Sequence, residues 1–398
     1  MVGLVKECVI VSAKRTPVGR FLGSLSSLSA PELGAVAIRT AVEEAKLKPE
    51  EIEGVIMGQV CPAGLGQAPA RQAQIKAGIP ANIPALTVNK VCGSGLMAVV
   101  LACQAIKAGD AKIMVAGGQE SMSNVPYYLH KLRFGAKMGD VKLVDGMIYD
   151  GIWCAFEDVH MGVLGEFTAK NSGITREEQD RFALNSHMKA VKAIKEGKFK
   201  NEIAVVKIPQ KKGEPIVVDT DEGPRADTSY EKLSTLAPAF QKDGTITAGN
   251  ASSINDGAAA LVIMEKGEAK KRGIKPLAEI TAYAIGSLEP KMLFYAPVVA
   301  TKKILSLLNC SIDYFDLIEI NEAFSAQVLA DGKELGWDWD KVNVHGGAVA
   351  LGHPIGASGA RILTTLIYAL KDKNLRQGLA VICLGGGESV AMSITVDT

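Results

Sequence analysis

Apolar and polar positions along the chain fall into two alternating rhythms. Short β-branched runs read as strands: Cys8-Val9-Ile10-Val11, Gly54-Val55-Ile56-Met57, Leu86-Thr87-Val88 and Lys112-Ile113-Met114-Val115. Between them, apolar residues recur at helical spacing over Leu33 to Ala45 and over Gly95 to Ala108. The last third repeats the rhythm, with strands at Ala278 to Ala282, Leu317 to Ile320 and Leu379 to Ile382, and helices over Val298 to Leu307 and Ser358 to Leu370. This alternation predicts an α/β fold.

The two ends share letters as well as rhythm. Ala116-Gly117-Gly118-Gln119-Glu120-Ser121 follows one strand and Leu384-Gly385-Gly386-Gly387-Glu388-Ser389 another, each after a helix opened by Ser-Gly, at Ser94-Gly95 and Ser358-Gly359. The offset from that serine to the first glycine of the strand-end motif is 23 residues in one half and 27 in the other. A duplicated α/β unit, with a glycine turn after the strand in each copy, accounts for this better than coincidence. The middle, roughly 123–251, breaks the rhythm. Thr175-Arg176-Glu177-Glu178 has capping-box spacing, and Leu184, Met188, Val191 and Ile194 fall on one helical face. A hairpin-like stretch follows over Val205 to Val218. Between Ser186 and Lys212 there are eight lysines against two glutamates. A solvated helix with a lysine-rich tip explains them; the functional alternative is a surface that attracts a phosphorylated ligand.

Composition narrows the classes. A chain of 398 residues, 47% apolar and 22% charged, predicts two or three domains or one repeated unit, and excludes disorder as the main state. A net charge of +1 and only 10 Phe, 8 Tyr and 3 Trp argue against a nucleic-acid partner. The best apolar run, Gly95 to Cys103, stops at Gln104, short of the ~18 residues a membrane span needs, so no membrane is expected. The apolar stretch after Lys6 and Glu7 meets Lys14 and Arg15 at once, and Thr395-Val396-Asp397-Thr398 is no targeting address. Seven cysteines without CxxC spacing give neither a disulfide framework nor a zinc knuckle, and the expectation is a cytoplasmic protein with reduced thiols.

A cysteine in a glycine-rich turn is then a candidate for chemistry. Asn89-Lys90-Val91-Cys92-Gly93-Ser94-Gly95 places Cys92 between a strand and a helix N-terminus, whose free N–H groups favour a thiolate. Cys103, on an apolar run, reads as structural. Gly93-Ser94-Gly95-Leu96-Met97-Ala98 also matches G-x-G-x-x-A with Glu120 after the next strand, which leaves a dinucleotide-binding reading as a weak rival. A second constellation runs from His345-Gly346-Gly347 to Gly352-His353-Pro354-Ile355-Gly356, with His353 held in a loop. A third is Cys383-Leu384-Gly385-Gly386-Gly387, and a fourth is Asn321-Glu322-Ala323-Phe324, whose polar pair could position water or a carbonyl oxygen. Cysteine with histidine is the common way to activate sulfur. A zinc site from His345, His353 and the two cysteines has no usual ligand spacing.

Cys-Gly-Ser-Gly, Asn-Glu-Ala-Phe, Gly-His-Pro-x-Gly-x-Ser-Gly and Cys-x-Gly-Gly-Gly, in that order, resemble the thiolase family over essentially the whole chain. The resemblance implies a duplicated five-layered α-β-α-β-α core with an inserted loop domain. Its first half would be 1–122 plus 252–275, the coenzyme A-binding insert 123–251, and the second half 276–398. It implies that Cys92 is the acylated nucleophile, His353 its base, and Cys383 the acid/base at the substrate α-carbon. The backbone amides of Cys92 and Gly385 would form one oxyanion hole, and His353 with a water held by Asn321 the other. His160 and Met161 are similar to the pattern of acetoacetyl-CoA-cleaving members, Ser252 to a serine on the pantetheine arm, and Arg225 to a residue near the adenine; Phe324 joins this coenzyme A set. Gly165-Glu166-Phe167, Ser389 and Leu293 depart from common family residues and bear on acyl-pocket shape. The implied reaction is the reversible condensation of two acetyl-CoA to acetoacetyl-CoA and coenzyme A, with acyl-CoA as partner, no separate cofactor or metal, and a homo-oligomer, dimer or tetramer. The alternatives are a broader degradative 3-ketoacyl-CoA thiolase and, more remotely, a non-catalytic thiolase-like binding subunit.

Overall fold

A computed structural model describes residues 7–397; residues 1–6 and 398, and with them Lys6 and Thr398 of the two terminal readings, lie outside the described residues. In chain order the main elements are β1 (Cys8–Arg15), α1 (Ala30–Glu44), β2 (Gly54–Gly58), α2 (Pro69–Lys76), β3 (Ala85–Val88), α3 (Ser94–Ala108) and β4 (Ile113–Ser121). Two helices, α4 (Met161–Ser172) and α5 (Arg176–Lys195), occupy the long excursion before β5 (Asn255–Glu265). The rest comprises β6 (Ala278–Ser287), α6 (Ala296–Leu308), β7 (Leu317–Ile320), α7 (Ser325–Leu335), α8 (Ser358–Asp372), β8 (Gln377–Leu384) and β9 (Glu388–Thr395).

One hydrogen-bonded path crosses the molecule in the order β7-β8-β9-β6-β1-β5-β4-β2-β3. It is two sheets joined at their edges by a short antiparallel contact, Val9 with Glu279 and Ile10 with Ala278. Each sheet has the same order. β3-β2-β4-β5-β1 in the first half is matched by Val342, bridged in parallel to Ile318, followed by β7-β8-β9-β6. The strands alternate between two dry faces, and the residues sort into layers accordingly. Val115, Ala260 and Val262 face an outer core with Leu33 and Ile38 of α1, while Met114, Leu261 and Ile263 face a central core with Leu96 and Val99 of α3. Ile362, Leu363 and Leu366 of α8 enter that same central core, together with Ala380 and Ile382 of β8. The far face of the second sheet packs Ile304 of α6 and Val328 of α7. The result is five layers with α3 and α8 in the middle. Val91–Ala108, whose mean hydropathy of 1.7 would suit a membrane span, includes this central helix.

The glycine motifs that suggested duplication are out of register with it. Gly117 and Gly118 are no turn: they lie inside β4, paired with Ala260 and Ala259 of β5. A Cβ there would come 2.0 Å from the carbonyl oxygen of Ala259 or of Gly356, so the sheet and the loop packed on it admit only glycine. Gly386 and Gly387 do turn, with φ of 89° and 85°, making the tight β8–β9 hairpin. The true repeat is set by helix and strand: nineteen residues separate Ser94 from Ile113, and nineteen separate Ser358 from Gln377.

The excursion between β4 and β5 packs by a different rule. The capping box at Thr175 forms and opens α5. However, Met188 is exposed and Leu184, Val191 and Ile194 only partly covered; the buried face is Ala183, Ser186, His187, Ala190 and Ala193. Small residues win that face because Gly346 comes so close that a Cβ on it would lie 2.8 Å from Ala190 Cβ. The lysine-rich segment forms the hairpin Val206–Ile208/Ile216–Val218, whose Val206, Ile208 and Val218 join the outer core beside α1. Lys198 pairs with Asp372 at 2.8 Å, Lys189 donates to the Val342 carbonyl at 3.0 Å, and none of these lysines lines the cavity described below.

The central helices meet at their glycines: a Cβ on Gly359 would sit 2.6 Å from the Leu96 nitrogen. Gly359→Ala is therefore expected to lower stability by about 1–3 kcal/mol through forced separation of α3 and α8, measurable as a lower denaturation midpoint with an unchanged slope.

Candidate active site

The crossing of α3 and α8 brings the two loops that precede them to one place. In the first loop, Asn89 Oδ1 accepts the Val91 N–H at 2.9 Å, Lys90 N–H donates to Ser94 Oγ at 2.8 Å, and Ser94 Oγ donates to the Val91 carbonyl at 2.6 Å. These bonds hold Val91 at φ 46°, a costly conformation for a β-branched residue, and turn Cys92 toward a cavity. The N–H groups of Cys92 and of Gly385 both lie against its sulfur. Burial nevertheless dominates and pushes the Cys92 thiol up to about 12, so the helix N-terminus does not yield a resting thiolate as the sequence suggested.

His353 is fixed at three atoms. Its N–H donates to Asn255 Oδ1 at 2.9 Å, Nδ1 lies 2.6 Å from Ser358 Oγ, and Nε2 lies 3.4 Å from Asn321 Nδ2. The Ser358 hydroxyl has one proton, which it gives to the Pro354 carbonyl at 2.9 Å. It therefore accepts from Nδ1–H, and the lone pair of His353 is on Nε2, where it faces the Asn321 Nδ2 donor. Burial, with Arg361 nearby, brings this imidazole down to about 3, so it is neutral and able to take a proton. Cys383 lies near the end of β8, buried, with its thiol also pushed up by burial and then by the Cys92 sulfur beside it. All seven cysteines are free.

The loop carrying His353 is held by buried acceptors from both halves. Glu322 turns away from the cavity and accepts from Ser186 Oγ (2.7 Å), Asn343 Nδ2 (2.8 Å) and Val349 N–H (3.0 Å). It is thus a brace of the loop and no carrier of water, contrary to the reading of Asn321-Glu322 as a polar pair. Asn321 Oδ1 is buried without a hydrogen-bond partner. Glu120, the acidic residue of the dinucleotide reading, is fully buried and accepts from Gln59 Nε2, Val60 N–H (3.0 Å) and Gly356 N–H (3.0 Å), which leaves nothing to grip a ribose. Gly95 is likewise closed off by α8, since a Cβ there would lie 2.9 Å from the Ala360 nitrogen.

A cavity of about 230 Å³ collects Cys92, His353, Cys383 and Gly385 at one end. His160, Met161, Ser252 and Phe324 line it as well, with Phe240, Leu293, Phe294 and Ile152. His160 caps α4 by accepting the Gly162 N–H on Nδ1 at 3.0 Å, and its ring stacks on Phe240 at 4.6 Å. Asn321 reaches the site only through His353. Arg225 is exposed and outside the lining, with its N–H on His187 Nδ1 at 3.2 Å. Of the departing positions, Leu293 lines the cavity, whereas Glu166 is spent on the N–H groups of Thr245 and Ile246 at 2.8 Å. His345 packs on Phe199 away from the cavity, so the zinc reading's four residues are not brought together, and no group of three metal-ligating side chains occurs among the described residues. Sequence reasoning missed Ser358 as a partner of His353, although it stands in the same glycine-rich run. It also missed Asn255 and Phe240, which no motif marks.

The arrangement offers two protonated sulfurs, one neutral imidazole at the cavity wall with its Nε2 lone pair beside Asn321 Nδ2, and paired backbone N–H groups. That suits transfer of an acyl group with a proton moved at a neighbouring carbon.

Comparison with known proteins bears on which transfer. The family model "Thiolase, N-terminal domain" matches residues 8–267, and "Thiolase, C-terminal domain" matches residues 274–396. The chain is 55% identical over 388 residues to an acetyl-CoA acetyltransferase of Cupriavidus necator, covering 98% of this chain and 99% of that one. It is 53% identical over 392 residues to one of Pseudomonas aeruginosa, covering 98% and 100%. Among solved structures, a Bacillus anthracis acetyl-CoA acetyltransferase superposes with a TM-score of 0.97 at 40% identity, covering 99% of each chain.

The tautomer assignment makes Ser358→Ala a sharp test. Without an acceptor for Nδ1–H the imidazole loses its orientation, and kcat is expected to fall ~10- to 100-fold with little change in KM, read from steady-state kinetics at fixed pH.

Proposed function

The chain belongs to the thiolase family, and from that premise we propose that it is an acetyl-CoA C-acetyltransferase that condenses two acetyl-CoA to acetoacetyl-CoA and coenzyme A, reversibly and by a ping-pong route. The observation that carries the reading is the convergence of Cys92, Cys383 and a neutral His353 on one small cavity. In the first half-reaction the Cys92 sulfur attacks the thioester carbonyl while His353 Nε2 takes its proton. The developing oxyanion faces the Cys92 and Gly385 N–H groups, and coenzyme A leaves with the proton of Cys383, so that Cys383 becomes a thiolate while Nε2 keeps the proton from Cys92. In the second, the Cys383 thiolate takes a proton from the methyl carbon of a new acetyl-CoA. The enolate oxygen accepts from His353 Nε2–H and from a water on Asn321, the carbon attacks acetyl-Cys92, and the released sulfur recovers its proton from Nε2. Donors already in place are what make such an enolate accessible; losing one typically costs about 10²–10³ in rate.

His160, Met161, Ser252 and Phe324 would hold the pantetheine arm, with Arg225 at the surface end near the adenine. The buried Leu293 and Phe294 at the cavity wall support a short acyl group. Coenzyme A enters as substrate and leaves as product, with no further cofactor, in a cytoplasmic enzyme. A homo-oligomer, dimer or tetramer, is supported by a projecting segment on which Phe134 is 84% and Met138 98% exposed, more apolar surface than a lone chain favours in water.

Two measurements test this. Incubation with acetyl-CoA should acetylate the peptide containing Cys92; Cys383→Ala should still acetylate there but lose exchange of the acetyl-CoA methyl protons, and normal exchange would remove Cys383 from the mechanism. Light scattering should give a multiple of the chain mass that falls on Phe134→Asp with Met138→Lys; a monomeric parent would defeat the oligomer reading.

A further inference from the structure

Glu120 is the buried titratable group that the proposed chemistry leaves unused. It is wholly shielded from water and sits on β4, between the end of β2 and the loop of His353. Its two oxygens accept four donors from two separate stretches of chain: Gln59 Nε2, Val60 N–H at 3.0 Å and Cys61 N–H at 3.3 Å from one, Gly356 N–H at 3.0 Å from the other. Among the described residues its hydrogen-bonding partners are these four neutral donors, although a carboxylate this deeply buried is ordinarily paired with a cation. The space is equally particular. A Cβ on Gly356 would lie 2.7 Å from Glu120 Oε2, and one on Gly118 2.0 Å from the Gly356 oxygen, so the histidine loop is laid directly onto β4 with Glu120 as its seat. Val60 and Cys61, the residues on its other side, pack in the same small cluster as Cys92 and Ile355.

We propose that Glu120 is a positioning residue of the reaction: by accepting Val60, Cys61 and Gly356 N–H together it fixes the His353 loop relative to the Cys92 turn. This rests on the thiolase reading for the roles of Cys92 and His353. The titratable groups that face Glu120 are the thiols of Cys61 and Cys92, and its charge opposes ionisation of both. Burial raises its own carboxyl to about 7, while the four donors pull it back, so above neutral pH it is an anion.

The test separates positioning from packing by reading kcat and KM for acetyl-CoA alongside the denaturation midpoint. Glu120→Asp keeps the carboxylate but withdraws it from Gly356, and Glu120→Gln keeps the volume but replaces one acceptor oxygen with an NH2 group. Each should lower kcat ~10- to 100-fold with KM for acetyl-CoA within about twofold. An unchanged kcat in either variant, or a loss carried mainly by KM, overturns the proposal. If Glu120→Gln does not fold, Glu120→Asp is read against the same two outcomes. Acetylation of a residue other than Cys92 in the parent would instead defeat the underlying reading, whatever the variants do.

Discussion

Backbone-to-backbone contact between α3 and α8 is the constraint from which the rest of the molecule follows. Two helices can sit side by side inside a five-layered core only if each offers a face without side chains at the crossing. Gly95 against Ala360 and Gly359 against Leu96 provide it. Because the contact is near both N-termini, the loops that lead into the helices are forced together: Cys92 stands two residues before α3 and His353 five residues before α8. The remaining partners come from strand ends that the sheets carry to the same level, Cys383 from β8 and Asn321 just past β7. The fold does not surround a site assembled separately; the site is where its two halves touch.

Desolvation sets the chemistry of that meeting point. Each titratable group there is held in its neutral form: thiols well above their ordinary values and the His353 imidazole down to about 3. A resting thiolate–imidazolium pair would require charge separation in a largely buried cavity, for which little compensates. In the proposed reaction sulfur attack and proton transfer are thus tied together, and the new charge would appear on a substrate oxygen facing the Cys92 and Gly385 N–H groups.

How much of this the chain announced depends on whether the cause was local. Helix α3 was read to within a residue because its boundaries are written locally, by Ser94 at one end and Gly109 at the other. The cysteine and histidine loops were legible since glycine and proline on either side leave few conformations. What failed were inferences that a neighbour overrides. Gly117-Gly118 has the letters of a turn but belongs to β4, for the only reason visible in three dimensions: the Gly356 carbonyl occupies the space of a side chain. The apolar face expected on α5 lost to a face of alanine, serine and histidine once Gly346 was seated against Ala190. Glu322 looked like a partner of Asn321 because adjacent polar residues after a strand suggest one site, yet in extended chain consecutive side chains point to opposite sides. Asn255, which holds the His353 N–H, lies 98 residues away with no motif around it, and no local pattern could have supplied it.

The same geometry explains why the excursion between β4 and β5 can matter to catalysis without supplying a reacting atom. Its α4 end brings His160 and Met161 to the cavity and its Phe240 stacks on that histidine, so one wall of the cavity belongs to it. Its α5 end reaches the opposite side of the chemistry: Ser186 donates to Glu322 and also accepts the Gly347 N–H at 3.0 Å. Glu322 in turn accepts the Val349 N–H, four residues before His353. A ligand gripped between the α4 wall and the core therefore bears on a body whose other end braces the histidine loop. Glu120 holds the far side of that loop through Gly356, so the imidazole is suspended between one carboxylate from each half of the fold. On the proposed reading, displacing either anchor would move Nε2 relative to the Cys92 sulfur, so a buried carboxylate that exchanges no proton with substrate still governs how the imidazole meets the thiol.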